Sequence, residues 1–370
     1  PANPAPRACQ PPGWGCGVQM ALASLCARRG GVAVLDGGMG TGLGALGLTE
    51  SECWSAGTRL GEQRIRDAVM EVYLLFLRAG ADILTANTYN VSAARDERDG
   101  REPAERQHLE ANMLLAQQAI AAFARERPDA PPPLLAASMG SYATSLSRAE
   151  TANRAADDLA GERISGYGLG QPQLEEFHRS RAATVLAAGA QLLAFETIPD
   201  LVEARAIAAV LEQLQAQQVS VPIEASVTFT CRDGGAGDGI CDHGDLFEDC
   251  VRAVAGCATL VGVGFNCTEP HLAPMLLRTA RAIVGDDKLL VCYPNSGEMY
   301  DTTGGGGGGS EAWRTVDGSP PIGGPAEFAA MARHWREEGA DVVGGCCRIG
   351  PEEIAAISEA FPRGPGSGAA

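Results

Sequence analysis

The stretch QLLAFETIPDLVEARAIAAVLEQLQAQ, residues 191–217, pairs a strand with a helix. Gln191–Phe195 is a short, largely apolar run of the kind a strand buried on both faces requires. From Leu201 to Gln217 the apolar residues recur at helical spacing, with charged and amide side chains between them. A buried strand followed by an amphipathic helix is the unit of a parallel sheet, because the helix carries the chain back to start another strand in the same direction.

Working outward, the same alternation runs along the chain. Strand-like runs are Val32–Asp36, Asp82–Ala86, Leu134–Ser138, Gln191–Phe195, Pro222–Thr228, Thr259–Gly264, Lys288–Cys292 and Asp341–Gly344. Helical patterns lie between them at Asp67–Arg78, Ala104–Arg125, Gln173–Ala188, Leu201–Gln217, His271–Val284 and Ala326–Glu338. Eight comparable units predict an α/β fold, a (β/α)8 TIM barrel forming a single domain with loop insertions, and 370 residues suffice for it. The competing doubly wound sheet would carry a Gly-rich dinucleotide fingerprint after its first strand, and none is present there.

The barrel is expected over residues 31–361. Residues 1–30, rich in Pro, Gly, Ala and Cys with Arg7, Arg28 and Arg29 and no acid, read as a tail, either disordered or the remnant of a targeting segment. Residues 362–370 read as a disordered tail. Insertions are expected at Ala149–Gly170, Asp233–Gly244 and the Gly304–Gly309 run.

Bulk properties narrow the function. A net charge of −17 argues against a polyanionic partner such as nucleic acid, and no uninterrupted apolar stretch reaches the roughly 18 residues of a membrane span. Twelve cysteines are too sparse for a disulfide scaffold, so reduced thiols in an intracellular, cytoplasmic protein are the expectation, with organellar targeting by the N-terminal segment left open.

In a (β/α)8 barrel the chemistry gathers at the C-terminal ends of the strands. There the sequence places Asp36-Gly37, Glu196-Thr197, Asn266-Cys267, Tyr293-Pro294-Asn295 and Cys346-Cys347. Cys267, Cys346 and Cys347 would bring three thiols together, a set that suits zinc and leaves its fourth position to substrate or water. The plainer reading of each is a buried apolar cysteine. Asp36 reads either as a helix cap or as a ligand contact. Glu196, following an apolar run, needs a buried partner such as a substrate ammonium. No histidine stands at a strand end, which disfavours a histidine base or a histidine-bound metal.

These residues occur in Leu35-Asp36-Gly37-Gly38-Met39-Gly40-Thr41, Ala86-Asn87-Thr88-Tyr89, Phe195-Glu196-Thr197-Ile198-Pro199, Gly262-Val263-Gly264-Phe265-Asn266-Cys267-Thr268, Tyr293-Pro294-Asn295-Ser296-Gly297-Glu298 and Gly344-Gly345-Cys346-Cys347-Arg348. With these motifs the chain resembles the homocysteine S-methyltransferase family, in the branch that uses S-methylmethionine or S-adenosylmethionine and includes selenocysteine methyltransferase-like enzymes. The resemblance spans about Val32 to Phe361, and Gly42 stands where the family usually has Glu.

The resemblance implies Zn2+ on Cys267, Cys346 and Cys347, and homocysteine held by Asp36, Gly37 and Glu196; Asn266, Tyr293 and Asn295 complete the candidate substrate contacts. It implies methyl transfer from a sulfonium donor to the homocysteine thiol, giving methionine. Alternatives are methyl transfer to selenocysteine or another thiol, and a noncatalytic zinc- or thiol-binding barrel. The expected partners are small molecules, with no nucleic acid and no membrane, and assembly into a homo-oligomer is left open.

Overall fold

A computed structural model describes residues 21–100, 102–146, 157–159, 162–217, 222–235, 237–300, 313–315 and 322–363. Eight strands form one parallel sheet: β1 (Ala33–Val34), β2 (Ile83–Ala86), β3 (Leu134–Gly140), β4 (Leu192–Ile198), β5 (Ala225–Phe229), β6 (Leu260–Asn266), β7 (Leu289–Tyr293) and β8 (Val342–Val343). Their order is β1-β8-β7-β6-β5-β4-β3-β2, and a parallel bridge between Leu35 and Ile83 joins β1 back to β2. The sheet is thereby closed into a barrel, and closure removes the exposed edges that an open sheet must cover. All eight strands fall on runs predicted above.

The helices α1 (Ala21–Arg28), α2 (Met39–Ala45), α3 (Glu50–Ser55), α4 (Gln63–Ala79), α5 (Ala93–Arg98), α6 (Glu105–Glu126), α7 (Gln171–Ala187), α8 (Leu201–Gln217), α9 (Phe247–Ala255), α10 (Ala273–Val284), α11 (Pro325–Glu337) and α12 (Pro351–Ala360) complete the fold. In α4 the buried residues Ile65, Ala68, Val69, Val72, Phe76 and Leu77 repeat every three or four positions, making one apolar stripe, and Gly80 in the left-handed region ends the helix. Proline in the first turn starts α7, α10, α11 and α12, where its missing N–H costs no helical hydrogen bond. Among the described residues, no helix is long and apolar enough to cross a membrane.

The barrel interior is packed by Leu35, Ile83, Leu134, Ala136, Leu192, Ala194, Val261, Val291 and Val342, and Leu22, Leu25 and Cys26 of α1 join the same cluster. This corrects one expectation. Residues 21–28, read from sequence as part of a tail, form a helix that plugs the barrel. The backbone N–H groups of Ala21 and Leu22 donate to the Glu224 carboxylate just ahead of β5. The physical reason is burial: three apolar side chains on one short helix find a site among the strand starts. Arg363, assigned to the C-terminal tail, likewise bonds Asp82 at 2.7 Å. Residues 1–20 and 364–370 lie outside the described residues, as do the targeting expectation and the glycine run.

The expected insertion Ala149–Gly170 contains an antiparallel hairpin, Asp157–Leu159 with Glu162–Ile164, and a second hairpin, Cys231–Asp233 with Gly239–Cys241, begins two residues before the expected insertion Asp233–Gly244 and ends within it. A third hairpin pairs Glu298–Tyr300 with Trp313–Thr315.

Candidate active site

Cys267 directly follows β6, and Cys346 and Cys347 follow β8 after Gly344 and Gly345. The three sulfurs lie within 4.8 Å of one another, and among the described residues this is the one group of three or more His, Cys, Asp or Glu so placed. Cys347 Sγ is 4.0 Å from Cys267 Sγ and 3.9 Å from Cys346 Sγ. Three sulfurs on a tetrahedral zinc at 2.3 Å would be roughly 3.8 Å apart, so these two separations suit a common ion. Cys267 and Cys346 stand in disulfide contact, which departs from the expectation of reduced thiols throughout. Bringing thiols close enough to share an ion also brings them within reach of each other. The donor chemistry, three soft sulfur ligands, fits zinc.

Strained backbone holds this cluster. Thr197, Cys267 and Arg348 are the non-glycine residues with positive φ among those described, at 63°, 48° and 62°. Each costs on the order of 1–3 kcal/mol, which the surrounding hydrogen bonds must offset. Asn266 provides several of them: its Oδ1 accepts from Thr197 N and Thr228 Oγ1, both at 2.8 Å, and its Nδ2 donates to Thr197 Oγ1 at 2.8 Å and faces Cys346 Sγ at 3.9 Å. Asn295 Oδ1 accepts from Cys347 N at 3.1 Å, and Cys346 N donates to the Pro294 carbonyl at 2.9 Å. Asn295, expected as a substrate contact, therefore has its oxygen committed to the turn that carries Cys347, and Asn266, expected likewise, has its oxygen committed to Thr197 and Thr228.

Gly37 and Gly38 let the end of β1 lie against this turn. A Cβ on Gly37 would meet the Ile349 carbonyl at 2.6 Å, and one on Gly38 the Cys346 carbonyl at 2.6 Å. Gly42 is buried against Val72, where an added Cβ would meet Cγ1 at 2.7 Å, so the glutamate usual in the family does not fit there without a shift.

The carboxylates settle another alternative. Asp36 caps no helix: the N-cap of α2 is Gly38, and the Asp36 oxygens instead accept from Thr85 N at 2.7 Å and Thr85 Oγ1 at 2.8 Å. Burial pushes its carboxyl up to about 7 against those hydrogen bonds, with a further push from the nearby Glu196 charge. Glu196 accepts from Ser138 Oγ and from the Tyr293 hydroxyl, the latter at 3.0 Å, and burial raises its pKa as well. The Tyr293 hydroxyl also lies 2.7 Å from Thr228 Oγ1. Burial and the Glu196 charge together hold the Cys347 thiol up at about 11, against which a metal charge would act.

Sequence reasoning missed Thr85, Ser138 and Thr228, and placed Thr197 at a strand end without a role. Ser138 closes a predicted strand, which is a signal of position; Thr85 lies inside one and gives none. Cys241 and His243 make no metal cluster with each other: Cys241 Sγ sits 3.7 Å from Cys250 Sγ, and His243 Nδ1 is 2.7 Å from Asp200.

The family model for homocysteine S-methyltransferase matches residues 33–361. The chain belongs to the homocysteine S-methyltransferase family. Homocysteine S-methyltransferase 1 of Zea mays is 32% identical over 345 residues, covering 91% of this chain and 97% of its own. Homocysteine S-methyltransferase 3 of Arabidopsis thaliana is 30% identical over 362 residues, covering 93% and 94%. The metallated form of the homocysteine methyltransferase MmuM from Escherichia coli aligns with a TM-score of 0.69 at 27% identity, covering 89% of this chain and 96% of that one. The resemblance read from the motifs thus holds over the barrel, and membership carries the reaction class with it: this is a methyltransferase.

Proposed function

We propose that the protein holds Zn2+ on Cys267, Cys346 and Cys347 and transfers a methyl group from a sulfonium donor, S-methylmethionine or S-adenosylmethionine, to the thiol of homocysteine, giving methionine. The observation that carries this reading is the convergence of three cysteine sulfurs within 4.8 Å at the barrel mouth. Zinc bound there would supply a Lewis acid that keeps the acceptor sulfur as a thiolate near neutral pH, although a free thiol has a pKa of about 8.5.

The chain's own residues do the rest. Asp36 and Glu196 are paired with neutral donors, and burial disfavours their charged forms. A substrate ammonium supplies the opposite charge both lack, so its arrival favours ionisation, with Thr85 fixing Asp36 and Ser138 and Tyr293 fixing Glu196. Gly37 keeps this end of β1 free of a side chain. Asn295 holds the Cys347 turn and Asn266 holds Thr197 and Thr228, so their contribution to substrate binding is one of position. In the transfer, a sulfur lone pair of the acceptor forms the new S–C bond while the donor C–S pair leaves with the donor sulfur as a neutral thioether. No proton moves in that step, in keeping with histidines engaged elsewhere: His178 lies 2.7 Å from Glu203 and His243 2.7 Å from Asp200. Holding the two sulfurs in line supplies much of the rate gain. A thiolate site of this kind works in a reducing compartment, which we take to be the cytoplasm.

The test is methionine formation by reduced, zinc-loaded protein with each donor in turn. Turnover should vanish on chelation and return with zinc, and Cys346→Ser should lose metal and turnover together, by more than the roughly 10–100-fold that removing an outer-shell partner costs. Full activity in Cys346→Ser overturns the reading.

A further inference from the structure

Arg348 immediately follows Cys347, and it is the sole Lys, Arg or His in 266–269 and 345–350, the two strand-end segments that carry the cysteines. Its backbone is left-handed, with φ of 62°, a conformation that arginine rarely adopts and that a glycine would hold without strain. Its N–H donates to Thr41 Oγ1 at 2.9 Å, tying this turn to α2. The guanidinium forms an ion pair with Glu298, whose carboxylate also accepts from Ser296 Oγ at 3.1 Å. The Arg348 side chain is 41% exposed and that of Glu298 18%, so the cation is fixed beside the cysteine turn and reachable from outside.

The charge inventory of the mouth gives this cation a use. Asp36, Glu196 and the three thiols are acids, and the substrates of the proposed reaction are amino acids that each carry a carboxylate. A carboxylate held beside the cysteine turn needs a cation, and Arg348 is the one that adjoins Cys347. The acceptor's ammonium is assigned to Asp36 and Glu196, which are buried, whereas Arg348 adjoins Cys347 in the chain and its side chain is partly exposed.

We propose that Arg348 receives the α-carboxylate of the methyl donor, so that the enzyme is matched to sulfonium amino acids and not to simple sulfonium ions. This rests on the sulfonium reading above. Glu298 is then a positioning residue that holds the guanidinium over the mouth.

The experiment compares S-methylmethionine with trimethylsulfonium, which has the same reactive centre and no carboxylate, as donors for zinc-loaded wild type and Arg348→Gln. Zinc content and melting temperature are measured alongside. In the variant the KM for S-methylmethionine should rise about 10- to 100-fold, the loss expected for a charge-assisted pair, while kcat/KM for trimethylsulfonium and the KM for homocysteine stay within about twofold. Arg348→Lys, which keeps the charge without the fork, should recover part of the loss, and it carries the same two-donor comparison where the glutamine variant does not hold zinc. Equal losses with both donors, a rise confined to the homocysteine KM, or no change overturns the assignment while leaving the sulfonium reading standing. Wild type that turns over neither donor overturns both.

Discussion

Asp82 and Asp341 at the strand starts and Asp36 and Glu196 at the strand ends are held in opposite ways. At the strand starts, Asp82 accepts from Val34 N at 2.9 Å and pairs with Arg29 at 2.8 Å and Arg363 at 2.7 Å. Asp341 accepts from Leu290 N at 3.0 Å and pairs with Arg281 at 2.8 Å and Arg336 at 2.9 Å. Each acid reaches across to a neighbouring strand and carries two guanidinium groups, so it is neutralised by the chain itself. At the strand ends, Asp36 and Glu196 are bonded to Thr85, Ser138 and Tyr293, neutral donors all. Asp82 and Asp341, with their cations built in, close the fold, while Asp36 and Glu196 lack one and are the acids that the proposed function gives to a ligand's cation.

The largest test of that contrast is at the closed end. Asp82→Asn leaves Arg29, whose side chain is 2% exposed, as a buried cation without its carboxylate. Unfolding in denaturant should show a loss of about 3–5 kcal/mol, with kcat of the remaining folded protein changed by less than about twofold. Lost turnover at unchanged stability would mean that the two ends are not separable.

Glu196→Gln should do the reverse. Removing a charge that burial disfavours leaves stability unchanged or improved, yet the KM for homocysteine should rise about 10- to 100-fold, because a charge-assisted contact to the ammonium is gone. A variant that loses stability and keeps its KM would place Glu196 among the structural acids.

The smallest effect sharpens the boundary between the two classes. Glu203, fully buried behind the mouth, is pushed up to about 8, mainly by burial and then by the Asp200 charge. Because its folded value lies above its unfolded one, the proton-bound form is favoured in the native state, and the stability this gives is lost as pH rises through about 8. Burial drives His178 the other way, well below its ordinary range, so its titration belongs to the acid side of that window. Melting temperature should therefore fall between about pH 6 and about pH 8, and Glu203→Gln should flatten that fall by a few degrees. An unchanged slope would remove Glu203 from the account.

Much of this was legible in the chain alone. Buried parallel strands must be short apolar runs and their helices must show a 3.6-residue stripe, so all eight strands and the closed-barrel class are local pattern. The cysteines and carboxylates were found because barrel chemistry sits at strand ends, a rule about position that needs no contact information. The plug α1 was not legible, since Pro, Gly and Cys around residues 1–30 mask one short helix whose reason to exist is the barrel opening it fills.

The sequence by itself determined the order of the βα units, the mouth at which the reactive side chains gather, and the three thiols suited to one metal. Only the tertiary structure decided which groups meet there. Glu196 takes its partners from positions 58 and 97 residues away, and Asn266 spends its amide on the strained Thr197 turn 69 residues away. Those meetings follow from closing eight strands into a ring, which fixes each side chain against neighbours that no local stretch of sequence contains.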